Sequence, residues 1–153
     1  MGASAPYDSK TMTQEEKYLL LKDLCARLLY GIKAYEDDEN PPVIICSYEA
    51  EDTFIDSDGW SHKIGTFKPY LRPMSSMTEE ERKELKDILR EKSFAVDCRN
   101  ELIIYTNSEY DCDNYFSDFY DIQDWLNSHH FDFRNLIEKG LALEAPKGMY
   151  KED

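Results

Sequence analysis

The stretch from 121 to 146 constrains the fold more than any other part of the chain. Its first half repeats at helical spacing and predicts a helix whose face carries Ile122, Trp125, Leu126 and His129. Asp132 is a suitable N-cap for a second helix that begins at 133–135, and Gly140 supplies a left-handed stop. We therefore expect two short terminal helices that pack five apolar side chains against a sheet: Trp125, Leu126, Phe131, Leu136 and Ile137.

The rest of the chain predicts an α+β fold. Capping boxes at Thr13-Gln-Glu-Glu16 and Thr78-Glu-Glu-Glu81 open helices that run to about Leu29 and Lys92. Alternating or apolar runs predict strands at 30–35, 43–48, 52–55, 61–67, 94–96 and 101–106, with a strand or extended strap at 141–145. This order favours a small antiparallel sheet packed by about four helices.

The expected domain organisation is a single compact domain over residues 12–146. Residues 1–11 are small and polar without periodicity, so we interpret them as a flexible tail or a cloning remnant, with Met12 as the natural start. Residues 147–153 are predicted to be a flexible C-terminal tail. The 153-residue length suits one domain with its own core.

The net charge of −14 restricts the classes of partner. Direct binding to nucleic acid or to an anionic lipid surface needs Lys and Arg on phosphates, which so acidic a chain does not favour. No apolar run in the sequence is long enough to predict a membrane span. An acidic surface does suit a basic protein partner, although it also serves solubility alone.

The four cysteines predict free thiols in a reducing compartment. Cys25, Cys46, Cys98 and Cys112 are widely spaced, form no C-x-x-C pair and follow no secretory signal. Cys25 lies in an apolar helical pattern and Cys46 in an apolar strand pattern, so both are expected to be buried and inert.

The motifs that could carry chemistry have simpler interpretations. Asp56-Ser-Asp-Gly59 resembles a calcium loop, but the first and twelfth loop positions would be Phe54 and Gly65, so a tight turn is expected. His129 and His130 are adjacent and would point about 100° apart on a helix, which disfavours a metal site. No G-x-S-x-G motif or glycine-rich phosphate loop occurs. We expect no metal, no cofactor and no catalytic residue, and a small hydrolase or nucleotide-binding enzyme remains a minor alternative.

Two segments are candidate partner surfaces. The first is acidic and aromatic, and it would steer a basic partner and supply rigid contact area: Glu109, Tyr110, Asp111, Asp113, Tyr115, Asp118 and Asp121. Its simpler interpretation is a solvated loop anchored by its aromatic rings. The second is a stiff, proline-framed strip formed by Lys68, Tyr70 and Arg72, which is otherwise a connector paired with nearby carboxylates.

Several stretches resemble a family of small uncharacterised proteins encoded by phages and integrated mobile elements of gut bacteria. The similar stretches are Glu15-Glu-Lys-Tyr-Leu-Leu-Leu-Lys-Asp-Leu-Cys-Ala-Arg-Leu28, Lys68-Pro-Tyr-Leu-Arg-Pro-Met-Ser-Ser-Met-Thr-Glu-Glu-Glu81, Asp124-Trp-Leu-Asn-Ser-His-His-Phe-Asp-Phe-Arg-Asn-Leu-Ile137 and Gly140-Leu-Ala-Leu-Glu-Ala-Pro146. Leu29 departs from an expected proline and Asn135 from an expected glycine. The resemblance implies a mobile-element setting and the cytosol of a bacterial host, and it implies no activity, cofactor or site.

These observations lead to one functional expectation with two alternatives. We expect a non-enzymatic phage or mobile-element accessory protein that acts by contact with an unknown, possibly basic, protein partner. The first alternative is an acidic nucleic-acid mimic that inhibits a nucleic-acid-binding protein of the host or of its defences. The second is the small hydrolase or nucleotide-binding enzyme.

Overall fold

The computed structural model describes residues 12–89, 93–96, 102–105 and 112–150, with side chains described for 12–88 and 120–150. The fold is α+β, as predicted. The chain divides into two compact units, Met1–Leu71 with Leu136–Ala145 and Arg72–Asn135 with Pro146–Asp153. We call them the first and second units and describe each separately. The expectation of a single domain over 12–146 stays a prediction.

The described residues of the first unit form one α-helix and a six-stranded sheet. Its elements are α1 (Gln14–Arg27), β1 (Ile32–Tyr35), β2 (Val43–Ala50), β3 (Thr53–Asp56), β4 (Ser61–Lys63), β5 (Lys68–Leu71) and β8 (Leu143–Glu144). The strand order is β4-β3-β2-β1-β5-β8, and β5 and β8 run parallel while the other pairs are antiparallel. The sheet is therefore mixed, which corrects the expectation of a purely antiparallel one. The strap expected at 141–145 is a strand because its backbone pairs with Tyr70 and Leu71.

Helix α1 begins and ends as its sequence predicts. Thr13 and Glu16 form the reciprocal capping box, and Gly31 adopts φ 68° after a short 3-10 turn. Across the last turn of the helix, Arg27 donates to both carboxylate oxygens of Asp23, at 2.8 Å and 3.0 Å, and both side chains are fully buried. The apolar core of this unit draws on the helix and on the strands: Leu20, Leu24, Ile32, Ile45, Phe54 and Phe67.

In the second unit, the described residues form two α-helices and a strand pair. Its elements are α2 (Glu79–Leu89), β6 (Ser93–Val96), β7 (Leu102–Tyr105) and α3 (Cys112–Ser128). The second capping box is also confirmed, with Thr78 and Glu81 bonded reciprocally at 2.9 Å and 3.1 Å. With α1, this makes three α-helices within the described ranges rather than about four. The core is one cluster: Met74, Met77, Leu85, Ile122, Trp125, Leu126 and Phe131.

The prediction of a second terminal helix is wrong. Residues 133–140 form bends and turns, and Asn135 has φ 61°, which interrupts a right-handed helix. Just before this segment, Phe131 makes a parallel bridge with Arg72, and the Asp132 N–H donates to the Arg72 carbonyl at 2.8 Å. These contacts hold the chain extended where the helix was expected to begin. Gly140 does adopt the predicted left-handed conformation, with φ 76°.

The expected packing of the terminal side chains against a sheet also needs correction. Trp125, Leu126 and Phe131 belong to the cluster of the second unit, whose other members come from α2, α3 and the segment Met74–Met77 before α2. Leu136 is buried in the first unit, and Ile137 is half-buried. The residues chosen as core are thus mostly buried, but they belong to two different units.

Two further segments differ from expectation. Cys25 and Cys46 are exposed, although both were expected to be buried. Partial desolvation nevertheless raises the pKa of the Cys25 thiol.

The predicted C-terminal tail begins as turns, and the buried Tyr150 ring stacks on the His130 ring with a centroid separation of 3.7 Å. Residues 1–11, 151–153 and Cys98 lie outside the described residues, as does the side chain of Cys112.

The two tryptophans allow a matched test of the core. Trp125 is 9% exposed within the second unit's cluster, whereas Trp60 is 72% exposed. Trp125→Ala should lower the free energy of unfolding by about 3–5 kcal/mol because it leaves a cavity. Trp60→Ala should change it by less than about 0.5 kcal/mol. Urea unfolding followed by circular dichroism measures both, and equal losses would refute the assigned core.

Candidate functional site

The turn between β3 and β4 is organised by the carboxylate of Asp56. Its Oδ1 accepts the N–H groups of Asp58 and Trp60 at 2.8 Å and 3.0 Å. The backbone closes the same turn, since the Gly59 N–H donates to the Asp56 carbonyl at 3.0 Å. Gly59 has φ 89°, a conformation that suits glycine. The segment is therefore the tight turn that the sequence predicted, with its aspartate as the acceptor.

His62 lies buried against that carboxylate. The pairing of Phe54 with His62 across β3 and β4 places both side chains on the same face, and Asp56 shares it by the two-residue period of the strand. His62 Nε2 lies 2.7 Å from Asp56 Oδ2, and His62 Nδ1 lies 3.4 Å from Glu36 Oε2. The imidazole thus sits between two carboxylates from different parts of the first unit.

The environment of Asp56 favours its charged form. Burial by itself raises the pKa of this carboxyl, but the hydrogen bonds from His62 and from the Trp60 and Asp58 N–H groups outweigh burial and hold the pKa below its usual range. Asp56 is consequently an ionised, nearly inaccessible group at neutral pH. Its charge is part of the structure of the turn.

A cleft of about 400 Å³ opens beside this pair. We call it the acidic cleft, and the residues that line it are Glu36, Asn40, Pro41, Pro42, Val43, Ile44, Asp56, Ser57, Asp58, Trp60, Ser61 and His62. These lining residues, all within the described part of the chain, include three carboxylates and neither lysine nor arginine. Trp60 and Ile44 add exposed apolar surface. The cleft therefore combines negative charge with an accessible aromatic ring.

The acidic loop that borders the cleft is ordered by its own hydrogen bonds. Asp37 Oδ1 accepts the backbone N–H groups of Glu39 and Asn40 at 3.0 Å and 2.9 Å. The Tyr35 hydroxyl donates to Asp38 at 2.7 Å, and this hydrogen bond, followed by desolvation, raises the pKa of Tyr35 to about 12. Pro41 and Pro42 then lead into β2. The loop is thus a defined wall of the cleft.

The geometry of His62 does not match a hydrolytic dyad. A histidine that activates a nucleophile uses one ring nitrogen for its orienting carboxylate and the other for the nucleophile. Here Asp56 faces Nε2 and Glu36 faces Nδ1. The described residues also contain no group of three His, Cys, Asp or Glu side chains that could hold a metal ion. Both ring nitrogens of His62 are therefore directed at carboxylates.

The first predicted surface falls largely outside what the structure describes. Glu109, Tyr110 and Asp111 lie outside the described residues. Asp113, Tyr115 and Asp118 lie on helix α3, although their side chains are not described. Asp121 follows on the same helix and is exposed. The part of the segment from Cys112 onward is helical, and the exposure of its aromatic rings stays a prediction.

The second predicted surface is engaged within the fold. Lys68 is buried in β5, and desolvation lowers the pKa of its amine. Tyr70 is half-buried and packs edge-to-face against Tyr35 with a centroid separation of 6.4 Å. In the second unit, the Arg72 guanidinium donates to both Glu81 oxygens at 2.7 Å and 2.8 Å. Of these three residues, Arg72 is paired with a carboxylate, as the alternative interpretation of a connector expects.

The acidic cleft was not predicted from the sequence, although part of the pattern that forms it is present there. The hairpin with Asp58-Gly59 in its turn was predicted, and Asp56 and His62 flank that turn on the two strands. Aligning the strands would have brought the two side chains to one face. The contribution of Glu36 had no such signal, because it depends on the path of the loop before β2. The exposure of Trp60 likewise follows only from the folded structure.

Comparisons with known proteins add no family to this description. The chain matches no protein-family model, and it has no significant match among curated proteins or solved structures. Within the described residues, no helix combines the length and the apolar character needed to cross a membrane.

Replacing Asp56 tests its role in the turn. Asp56→Asn removes the charge that accepts three hydrogen bonds, so it should lower the free energy of unfolding at neutral pH by about 1–3 kcal/mol. Asp58→Asn is the matched control. It keeps the backbone N–H of residue 58 that closes the turn, and the side chain it changes is exposed. Denaturant unfolding at several pH values measures both variants.

The pH dependence follows from the direction of the Asp56 shift. Its folded pKa is depressed, so the stabilisation is present above the pKa of an unfolded aspartate and is lost as the pH falls through the folded value. The difference between wild type and Asp56→Asn should therefore shrink in acid. A difference that is constant from neutral pH into acid would contradict the assigned role of the ionised carboxylate.

Proposed function

We propose that the protein acts by protein–protein contact and that its acidic cleft receives a basic segment of the partner. The observation that carries the proposal is the exposed indole of Trp60 among the carboxylates of the cleft. A large aromatic ring left open to solvent beside fixed charges is typical of the residues that dominate binding energy at interfaces. As the sequence resemblance implies, such a protein would serve as a phage or mobile-element accessory in the bacterial cytosol.

The order of the cleft supports binding. Its floor is the hydrogen-bonded turn of Asp56, and its wall is the loop closed by Asp37 and bounded by two prolines. A surface that is already ordered loses little conformational entropy when a partner binds. The cleft is thus suited to recognition of a short segment by contact alone.

The charge of the chain supports a basic partner. The net charge of −14 produces a field that speeds encounters with positively charged molecules and repels nucleic acid. The accessible carboxylates of Glu36 and Asp58 concentrate that charge at the cleft. The hydrolase alternative has less support, because both nitrogens of His62 face carboxylates.

A second candidate surface lies on α3, in the segment for which the sequence suggests a nucleic-acid mimic. The exposure of Tyr120 and of Asp121 favours it, since it leaves an aromatic ring and a carboxylate of the helix accessible to a partner. In that case the acidic helix would occupy the basic groove of a nucleic-acid-binding protein. This candidate shares the class of partner and differs in the surface that is used.

A peptide selection distinguishes the two surfaces. A random peptide library displayed on yeast is selected against the immobilised protein, and each enriched peptide is tested for binding to defined variants. Peptides that occupy the acidic cleft should lose roughly tenfold or more in affinity on Trp60→Ala, because truncating a central aromatic residue costs that much at an interface. Leu29→Ala is the control, since Leu29 is 90% exposed and lies outside the cleft.

The outcomes separate the candidates clearly. If the enriched peptides lose affinity for the Trp60→Ala variant and keep it for Leu29→Ala, the acidic cleft is supported as the binding surface. Affinity retained on Trp60→Ala but lost when Asp113, Asp118 and Asp121 are replaced by Asn supports the surface of α3. If no peptide is enriched, or if enriched peptides respond to none of these changes, both candidates are wrong.

A further inference from the structure

We infer that the group the acidic cleft recognises is an arginine side chain of the partner, whose guanidinium stacks on Trp60 and pairs with the carboxylates of the cleft. This inference rests on the proposed function and specifies its ligand. Three properties of the cleft carry it: an exposed planar ring, carboxylates still accessible to a ligand, and space for a long side chain.

The ring and the carboxylates are both available to a ligand. Trp60 lies 72% exposed, and indole is the aromatic ring that binds cations most strongly. The side chain of Glu36 is 37% exposed, and its contact with His62 Nδ1 is a long 3.4 Å. A carboxylate has about four lone-pair positions, so Glu36 can accept from a ligand without giving up His62. Asp58 is also exposed on the turn.

The shape and charge of the cleft select against other ligands. Its carboxylates repel phosphates and other anions, so a nucleotide or a phosphopeptide is not suited to it. Its volume of about 400 Å³ lies in the range of sites that hold organic groups and exceeds the needs of a single ion. A cationic side chain with a flat, extended head satisfies both the charge and the volume.

Guanidinium suits the cleft better than ammonium for a geometric reason. It is planar, so it stacks on an aromatic face and donates to a carboxylate from its edge at the same time, whereas ammonium is a compact point charge. The second unit of this chain contains the same combination internally. There the Arg72 guanidinium lies 4.2 Å from the centre of the Phe131 ring and donates to both oxygens of Glu81. In the acidic cleft, Trp60 and Glu36 present the ring and the carboxylate, and the described residues that line the site include no lysine or arginine.

The test uses three peptides that differ in one side chain. Acetylated and amidated Gly-Gly-Xaa-Gly-Gly peptides carry arginine, lysine or citrulline, the uncharged isostere of arginine, at the central position. Each is titrated into the full-length ¹⁵N-labelled protein, and the chemical shifts of the Trp60 indole N–H and of the Asp58 and Trp60 backbone N–H groups are followed. The arginine peptide should shift these signals in a saturable way. The lysine peptide should bind about three- to tenfold more weakly, and the citrulline peptide weaker still.

Variants of the cleft assign the contacts. Trp60→Ala and Glu36→Gln should each weaken binding of the arginine peptide by about three- to tenfold, since each removes one of the two interactions. Leu29→Ala should leave it unchanged. The loss in Trp60→Ala is followed on the Asp58 backbone signal, and thermal melting of each variant shows that the fold is retained.

Each other outcome overturns the inference. Equal affinity for the arginine and citrulline peptides would show that the cleft does not recognise the charge. Equal affinity for the arginine and lysine peptides would show that it does not recognise the planar guanidinium group. If the arginine peptide leaves the cleft signals unshifted while a display-selected peptide shifts them, the inference is wrong and the proposed function stands. If neither peptide shifts them, both are wrong.

Discussion

The acidic cleft of the first unit depends on the hydrogen bonds that the carboxylate of Asp56 accepts. One oxygen gathers the N–H groups that close the β3–β4 turn, and the other holds His62 at 2.7 Å. An ionised acceptor bonded by several donors is stable when buried, and the same bonds depress its pKa. The position of Trp60 at the end of the turn, and the floor of the cleft, follow from this one buried charge.

Negative charge is used in two different ways in this chain. Asp23, Asp56 and Glu81 are buried and are each held by a cationic or histidine partner, so they serve the fold. Many other carboxylates, including the loop from 37 to 39, are exposed and contribute to the field around the protein. Composition alone cannot separate the two groups, because both contribute equally to the net charge of −14. Only the exposed group is available to a partner.

The sequence predicted the elements whose signals are local. Both capping boxes, the hairpin around Asp58-Gly59 and the strand at 43–48 were found because each depends on residues close together in the chain. The prediction of a helix after Asp132 failed because a backbone contact with Arg72, which is distant in sequence, sets the conformation there. The prediction that Cys46 is buried failed for a related reason. An apolar strand pattern predicts burial of the strand, but only Ile45 of β2 is buried.

The pairing of β5 with β8 has a consequence for how the chain acquires its fold. Tyr70 and Leu71 pair with Leu143 and Glu144, so one strand of the first unit's sheet comes from beyond the whole continuous segment of the second unit. During synthesis, β1 to β5 emerge long before their parallel neighbour, and the outer edge of β5 stays unpaired for that interval. Long-range parallel pairing is slow because it closes a large loop. The nascent chain therefore presents a temporary strand edge, open to association with other chains, until residues 143–144 have left the ribosome.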